Sequence, residues 1–182
     1  YINQLSLPLK GTYQVKNLAG VLKATDILGE LGFDILLKSL VNGLENCVDQ
    51  TGLKGRWQKL GEHPTIICDT GHNAAGVREV VKQLSQQEFT TLHMVWGMVK
   101  DKEVDEILKV LPVEAKYYFC QAKIPRAMDV SVLQEKARKF GLSGEVFPDV
   151  STAINQAKRV AASDDFIFVG GSTFVVAEID NL

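Results

Sequence analysis

The spacing of apolar positions changes character near residue 53. In the first third of the chain, Leu18, Val21, Leu22, Thr25 and Leu28 recur at helical intervals, with Gly32 as a stop. Leu37, Leu40, Val41, Leu44 and Val48 predict a second helix with one apolar face. Residues 1 to 11 carry neither period and read as extended or irregular. From Lys54 onward, short β-branched and aromatic runs take over, at 65–68, 91–96, 116–120, 144–147 and 166–169. A further strand is predicted over Arg56–Leu60, with glycine at both ends. Between the runs lie helical patterns at 74–87, 102–111, 129–140 and 151–162, and a last short helix follows Ser172. Val77, Val80, Val81 and Leu84 give the i, i+3, i+4, i+7 signature, as do Val104, Ile107, Leu108 and Leu111.

Strands alternating with helices of this length indicate βαβ units, and right-handed crossovers bring every strand-to-helix turn to one edge of a mostly parallel sheet. The predicted architecture is α/β and Rossmann-like, with about six strands, the first antiparallel at an edge. It occupies residues 53–182, preceded by an extended segment and helical hairpin over residues 1–52. Composition agrees with a soluble globular protein: 46% apolar and 23% charged residues. A net charge of -2 with no basic stripe argues against nucleic acid, and no apolar run approaches a membrane span. Cys47, Cys68 and Cys120 are too few and too scattered for a metal site or a disulfide framework, which suggests reduced thiols and a cytoplasmic setting. Because the sequence starts at Tyr1 rather than Met, it is expected to be part of a longer protein.

Candidate chemistry gathers where strands end. In an open parallel sheet, ligands bind beyond the carboxyl ends of the strands. There this chain places Asp69-Thr70-Gly71-His72-Asn73, Gly97-Met98-Val99-Lys100-Asp101-Lys102, Gln121 through Arg126, and Gly170-Gly171-Ser172-Thr173. Cations, donors and a helix N-terminus on one edge suit an anionic ligand. Each group also has a plain structural reading. Asp69 and Asn73 can cap the following helix, Lys100 to Lys102 can be a solvated turn, and Arg56 can stack on Trp57. His72 has no second histidine or cysteine near it, so no metal ligand is assigned. The chain contains no G-x-x-x-x-G-K-[ST], G-x-G-x-x-G or G-x-S-x-G.

Taken in order, Gly55-Arg56-Trp57-Gln58, Asp69-Thr70-Gly71-His72-Asn73, Gly97 to Lys102, Arg126-Ala127 and Gly171-Ser172 resemble the C-terminal part of folylpolyglutamate synthase/dihydrofolate synthase, in the Mur ligase superfamily. Gly11-Thr12-Tyr13-Gln14-Val15-Lys16-Asn17 and its helix resemble the tail of that family's central ATPase domain. Thr70-Gly71 stands where the family usually has Gly-Ala, Ala74 where it has Pro, and Lys54 where Pro often precedes Gly-Arg. The resemblance implies an ATP- and Mg²⁺-dependent ligase of one-carbon metabolism. It would add L-glutamate to dihydropteroate or folates through an acyl phosphate. Asn17, Arg56 and Asp69 would contact ATP, His72 and Ser172 would hold glutamate, and His72 and Arg56 would carry the catalytic roles. Asn73, Lys102 and Arg126 rank below these. The Mg²⁺ ligands and P-loop would lie upstream, in the protein's own N-terminal ATPase domain, so this chain alone would be inactive. A monomer is expected. Two other readings are a Mur ligase acting on a peptidoglycan precursor and a non-catalytic α/β domain that binds an anion and regulates a partner.

Overall fold

The computed structural model describes residues 5–100, 104–180 and 182. Its sheet contains β1 (Gln58–Glu62), β2 (Thr65–Cys68), β3 (Leu92–Trp96), β4 (Lys116–Cys120), β5 (Gly144–Phe147) and β6 (Phe166–Gly170). The order is β1-β2-β6-β3-β4-β5, with β1 antiparallel to β2 and every other pair parallel. β3 and β6 are buried along their full length, as expected of parallel strands covered on both faces. The last strand in sequence therefore sits at the centre, between β2 and β3.

Alternation along the strands divides the core in two. Met94, Trp96, Tyr117, Phe119 and Phe168 pack on one face against α4 (Ala74–Leu84), α5 (Val104–Leu108) and α6 (Val130–Arg138). Val95, Tyr118, Ile167 and Val169 pack on the other against α7 (Val150–Val160) and α8 (Thr173–Ala177). Four of these helices start on a side-chain cap, from Asn73, Asp129, Asp149 and Ser172. The predicted six-stranded, mostly parallel sheet and its antiparallel edge strand are thus observed.

Two elements differ from expectation. The strand predicted to begin at Arg56 begins at Gln58, because Gly55 and Trp57 both have positive φ and turn the chain sharply. The helix predicted across Leu37–Val48 is split into α2 (Leu37–Glu45) and α3 (Cys47–Thr51). Between them, Asn46 leaves helical geometry, and its side-chain amide donates to the Asn42 carbonyl, competing with the backbone ladder. The predicted start of the helix at 102 lies outside the described residues.

The first helix, α1 (Gln14–Glu30), buries only Gln14. Its approach is strapped to α4 by one buried amide. Gln83 Oε1 accepts from Thr12 N–H at 2.8 Å, and Gln83 Nε2 donates to Lys10 O at 3.0 Å. Lys16 and Glu79 add an ion pair at 2.5 Å. Among the described residues no helix is long and apolar enough to cross a membrane.

At the amino edge of the sheet a polar network closes the core. His93 is fully buried, with Nδ1 2.9 Å from the Tyr118 hydroxyl and Nε2 3.1 Å from Asp165 Oδ2. Asp165 also accepts from Thr91 N–H at 2.9 Å and Ala162 N–H at 2.8 Å. Burial pushes the Asp165 carboxyl upward, but donors from Ala162, His93 and Thr91 outweigh it and hold the group below the ordinary carboxylate range. A depressed folded value adds stability that is present above the unfolded value near about 3.9 and lost as pH falls through the folded one. Urea unfolding of Asp165→Asn is therefore expected to show lower stability than the parent at pH 7 and a smaller loss on acidification below about pH 4. His93→Ala, which leaves a cavity and takes a hydrogen-bond partner from the Tyr118 hydroxyl and from Asp165, should cost about 2–5 kcal/mol. A loss below about 0.5 kcal/mol, the level of a neutral surface change, would remove the network's structural role.

Candidate functional site

The turn from β2 into α4 is built around one buried carboxylate. Asp69 is 1% exposed. Its Oδ2 accepts from the Tyr13 hydroxyl at 2.6 Å and from Trp57 N–H at 2.7 Å, and its Oδ1 accepts from Gly71 N–H at 2.8 Å. Burial raises the Asp69 carboxyl above its ordinary range, while these three donors and the nearby Arg56 charge pull it down without cancelling the effect. The bond to Trp57 also explains why that residue leaves the ladder: its N–H points at Asp69 rather than at a neighbouring strand.

Arg56 is held in the bend by a hydrogen bond from Nη1 to Thr70 Oγ1. Gly55 makes that bend possible, since its φ is +70° and a Cβ would lie 2.7 Å from Thr70 Cγ2. Among the described residues Arg56 forms no ion pair, so its charge is available to an anion. His72 is exposed, with Nδ1 3.0 Å from Thr70 O. A carbonyl only accepts, so Nδ1 is the donor and Nε2 of the neutral ring is left as an acceptor. Asn73 caps α4, accepting from Gly76 N–H at 2.8 Å. Asn17 faces these groups from α1, with Nδ2 donating to Gln14 Oε1 at 2.8 Å.

A cavity of about 470 Å³ lies among them, lined by Tyr13, Asn17, Arg56, Asp69, His72 and Asn73 together with their neighbours. Five of the sequence-predicted residues are thereby brought to one place. Two others, Ser172 and Arg126, are not. Ser172 is buried at the start of α8, where its Oγ accepts from Phe174 N–H at 3.1 Å, and it does not line the cavity. Arg126 is exposed in the loop after β4, away from the cavity lining. Lys102 lies outside the described residues. Stacking of Arg56 on Trp57 gives way to a buried Trp57 ring packed near Phe168.

Sequence reasoning passed over Tyr13 and Gln83. Tyr13 stands within the Gly11–Asn17 segment, but nothing in that spacing indicates that its hydroxyl reaches Asp69. Gln83 lies next to the apolar stripe of α4, where a buried glutamine leaves no periodic signal. Among the described residues no group of three or more His, Cys, Asp or Glu side chains is placed to hold a metal ion.

The family model for the Mur ligase glutamate ligase domain matches residues 55–173. This chain belongs to the Mur ligase glutamate ligase domain family. It is 32% identical over 173 residues to a probable bifunctional folylpolyglutamate synthase/dihydropteroate synthase of Haloferax volcanii, covering 94% of this chain and 20% of the relative. A solved bifunctional folylpolyglutamate synthase/dihydrofolate synthase of Yersinia pestis, complexed with AMPPNP and Mn ion, is 26% identical with a TM-score of 0.73, covering 96% of this chain and 40% of that one. A further structure of such a synthase, with Mn, AMPPNP and L-glutamate bound, is 28% identical with a TM-score of 0.73, covering 95% of this chain and 39% of that one. This Mur ligase domain chain thus spans a fifth of the archaeal relative and about two fifths of the solved synthases.

Within this domain, Asp69 is the group whose removal tests the turn. Asp69→Ala leaves the buried Trp57 N–H without its acceptor and is expected to lower stability by about 1–3 kcal/mol. Hydrogen exchange should quicken at the Trp57 and Gly71 amides. Unchanged protection at both would mean that another acceptor holds the turn.

Proposed function

We propose that this domain is the nucleotide-closing and glutamate-binding part of an ATP-dependent ligase that adds L-glutamate to dihydropteroate, to folates, or to both. The observation that carries the reading is one cavity in which Asn17 of α1 meets Arg56, Asp69 and His72, with Arg56 in no ion pair among the described residues. The ligands named for the solved synthases, AMPPNP and L-glutamate, support it. Residues 1–52 are, on this reading, the tail of a preceding ATPase domain. The apolar side chains that α1 and the following loop expose, including Val15, Leu31 and Phe33, would then pack against it.

In the reaction, ATP transfers its terminal phosphoryl group to the folate-type carboxylate. The amino nitrogen of glutamate then attacks the acyl carbon, the C–N bond forms, the C–O bond to phosphate breaks, and phosphate leaves. Arg56, a fixed cation with a planar donor fork, suits phosphate oxygens and the charge that develops on them. Asn17 and Asp69 suit the nucleoside, Asp69 as an acceptor for ribose hydroxyls. With Nδ1 of His72 committed to Thr70 O, Nε2 is the ring atom left to meet glutamate. Mg²⁺ shields phosphate charge in such a transfer. The described residues offer no cluster to hold it, so its ligands are assigned to the preceding domain. Ser172 and Arg126 lie away from the cavity, and the reading does not depend on them.

Two measurements test it. The 182-residue chain, given ATP, glutamate and dihydropteroate, should release no phosphate, and release would refute the assignment of the phosphoryl-transfer machinery to the preceding domain. In the longer protein, Arg56→Ala should slow acyl-phosphate formation about 100-fold or more, as expected for loss of one charge-stabilising donor. His72→Ala should chiefly raise the glutamate requirement. Equal losses on both substrates from both changes would undo this division of roles.

A further inference from the structure

The Asp69 carboxylate is almost fully engaged before any ligand arrives. Two carboxylate oxygens offer about four lone-pair positions. Trp57 N–H, Gly71 N–H and the Tyr13 hydroxyl occupy three of them. A ribose diol brings two hydroxyl donors and would find one position open. The two backbone donors are fixed by the bend and the turn and cannot withdraw without disrupting them. The Tyr13 phenol can. It reaches Asp69 from the residue before α1, across 56 positions of sequence, and its side chain is half-buried at the cavity wall.

We propose that Tyr13 is a latch on the nucleotide site: its hydroxyl occupies the Asp69 oxygen that a ribose hydroxyl takes, so nucleotide entry requires Tyr13 to let go. Two neighbours fit the part. Gly11 lets the ring lie against the strap, since a Cβ there would sit 2.6 Å from Tyr13 Cε1 and 2.7 Å from Tyr13 Cζ. Gln83 anchors residues 10 and 12 independently, so the phenol can swing away while the strap remains on α4. Because Tyr13 and Asn17 lie at the start of α1, release of the phenol would report nucleotide arrival to that helix. The latch rests on the proposed nucleotide reading of the cavity and deepens it by naming what the nucleotide must displace.

The test titrates ADP and 2′,3′-dideoxy-ADP into the longer protein as parent and into its Tyr13→Phe variant, followed by the amide resonance of Gly71, with thermal unfolding of both proteins. A latch predicts effects of opposite sign. Tyr13→Phe should unfold at lower temperature yet bind ADP about tenfold more tightly, the scale of one hydrogen bond to a charged group. Its affinity for dideoxy-ADP should match the parent's. If Tyr13→Phe binds ADP equally or more weakly while the parent still prefers ADP to dideoxy-ADP, the latch is overturned and the nucleotide reading stands. If the parent binds neither nucleotide, or both alike, the reading and the latch fall together.

Discussion

The hydrogen bonds of Asp69 hold three distant parts of the chain at one point. A single carboxylate joins the entry to α1, the bend before β1 and the turn into α4, through Tyr13, Trp57 and Gly71. Burying it is unfavourable, and the raised carboxyl shows that the donors do not fully offset the loss of water. The fold tolerates that cost at the carboxyl end of β2, where a ligand site is expected. From this point the other positions follow. Trp57 is drawn out of the strand ladder, the bend takes a left-handed path, and Arg56 is set beside Thr70 at the cavity wall.

The two ends of the sheet use buried carboxylates in opposite ways. At the amino edge, Asp165 is surrounded by enough donors to sit below the ordinary carboxylate range, and it ties His93 and Tyr118 into the core. That arrangement stabilises the folded state. At the carboxyl edge, Asp69 is raised and keeps one acceptor position open. Each carboxylate has three hydrogen-bond partners, and Asp69, whose burial outweighs its donors, is the one at the cavity wall. The cores show a related contrast. β3 and β6 are sealed on both faces, whereas the cavity lies between α4 and the start of α1, a helix that buries only Gln14.

This arrangement gives the family assignment its physical content. The match to the Mur ligase glutamate ligase domain covers residues 55–173, the part with the two-faced core. Yet the cavity is completed by Tyr13 and Asn17, which precede that span. A domain boundary drawn at the sheet therefore passes through the site.

The sequence by itself determined the alternation of strands and helices, the mostly parallel sheet and the turn that carries the polar cluster. Those features follow from local periodicity: apolar runs must be buried on both faces, and the stripe through Val77, Val80 and Leu84 must face the sheet. It also placed Asp69, His72 and Asn73 together, because they are adjacent in the chain. Only tertiary structure decided where β1 begins, because the competitor for the Trp57 N–H is a carboxylate twelve residues away. Only tertiary structure separated Ser172 and Arg126 from the cavity, since loops on one sheet edge can open onto different clefts. The Tyr13 and Gln83 contacts likewise span 56 and 71 or more positions, and no pattern within a helix or strand encodes a hydrogen bond of that reach.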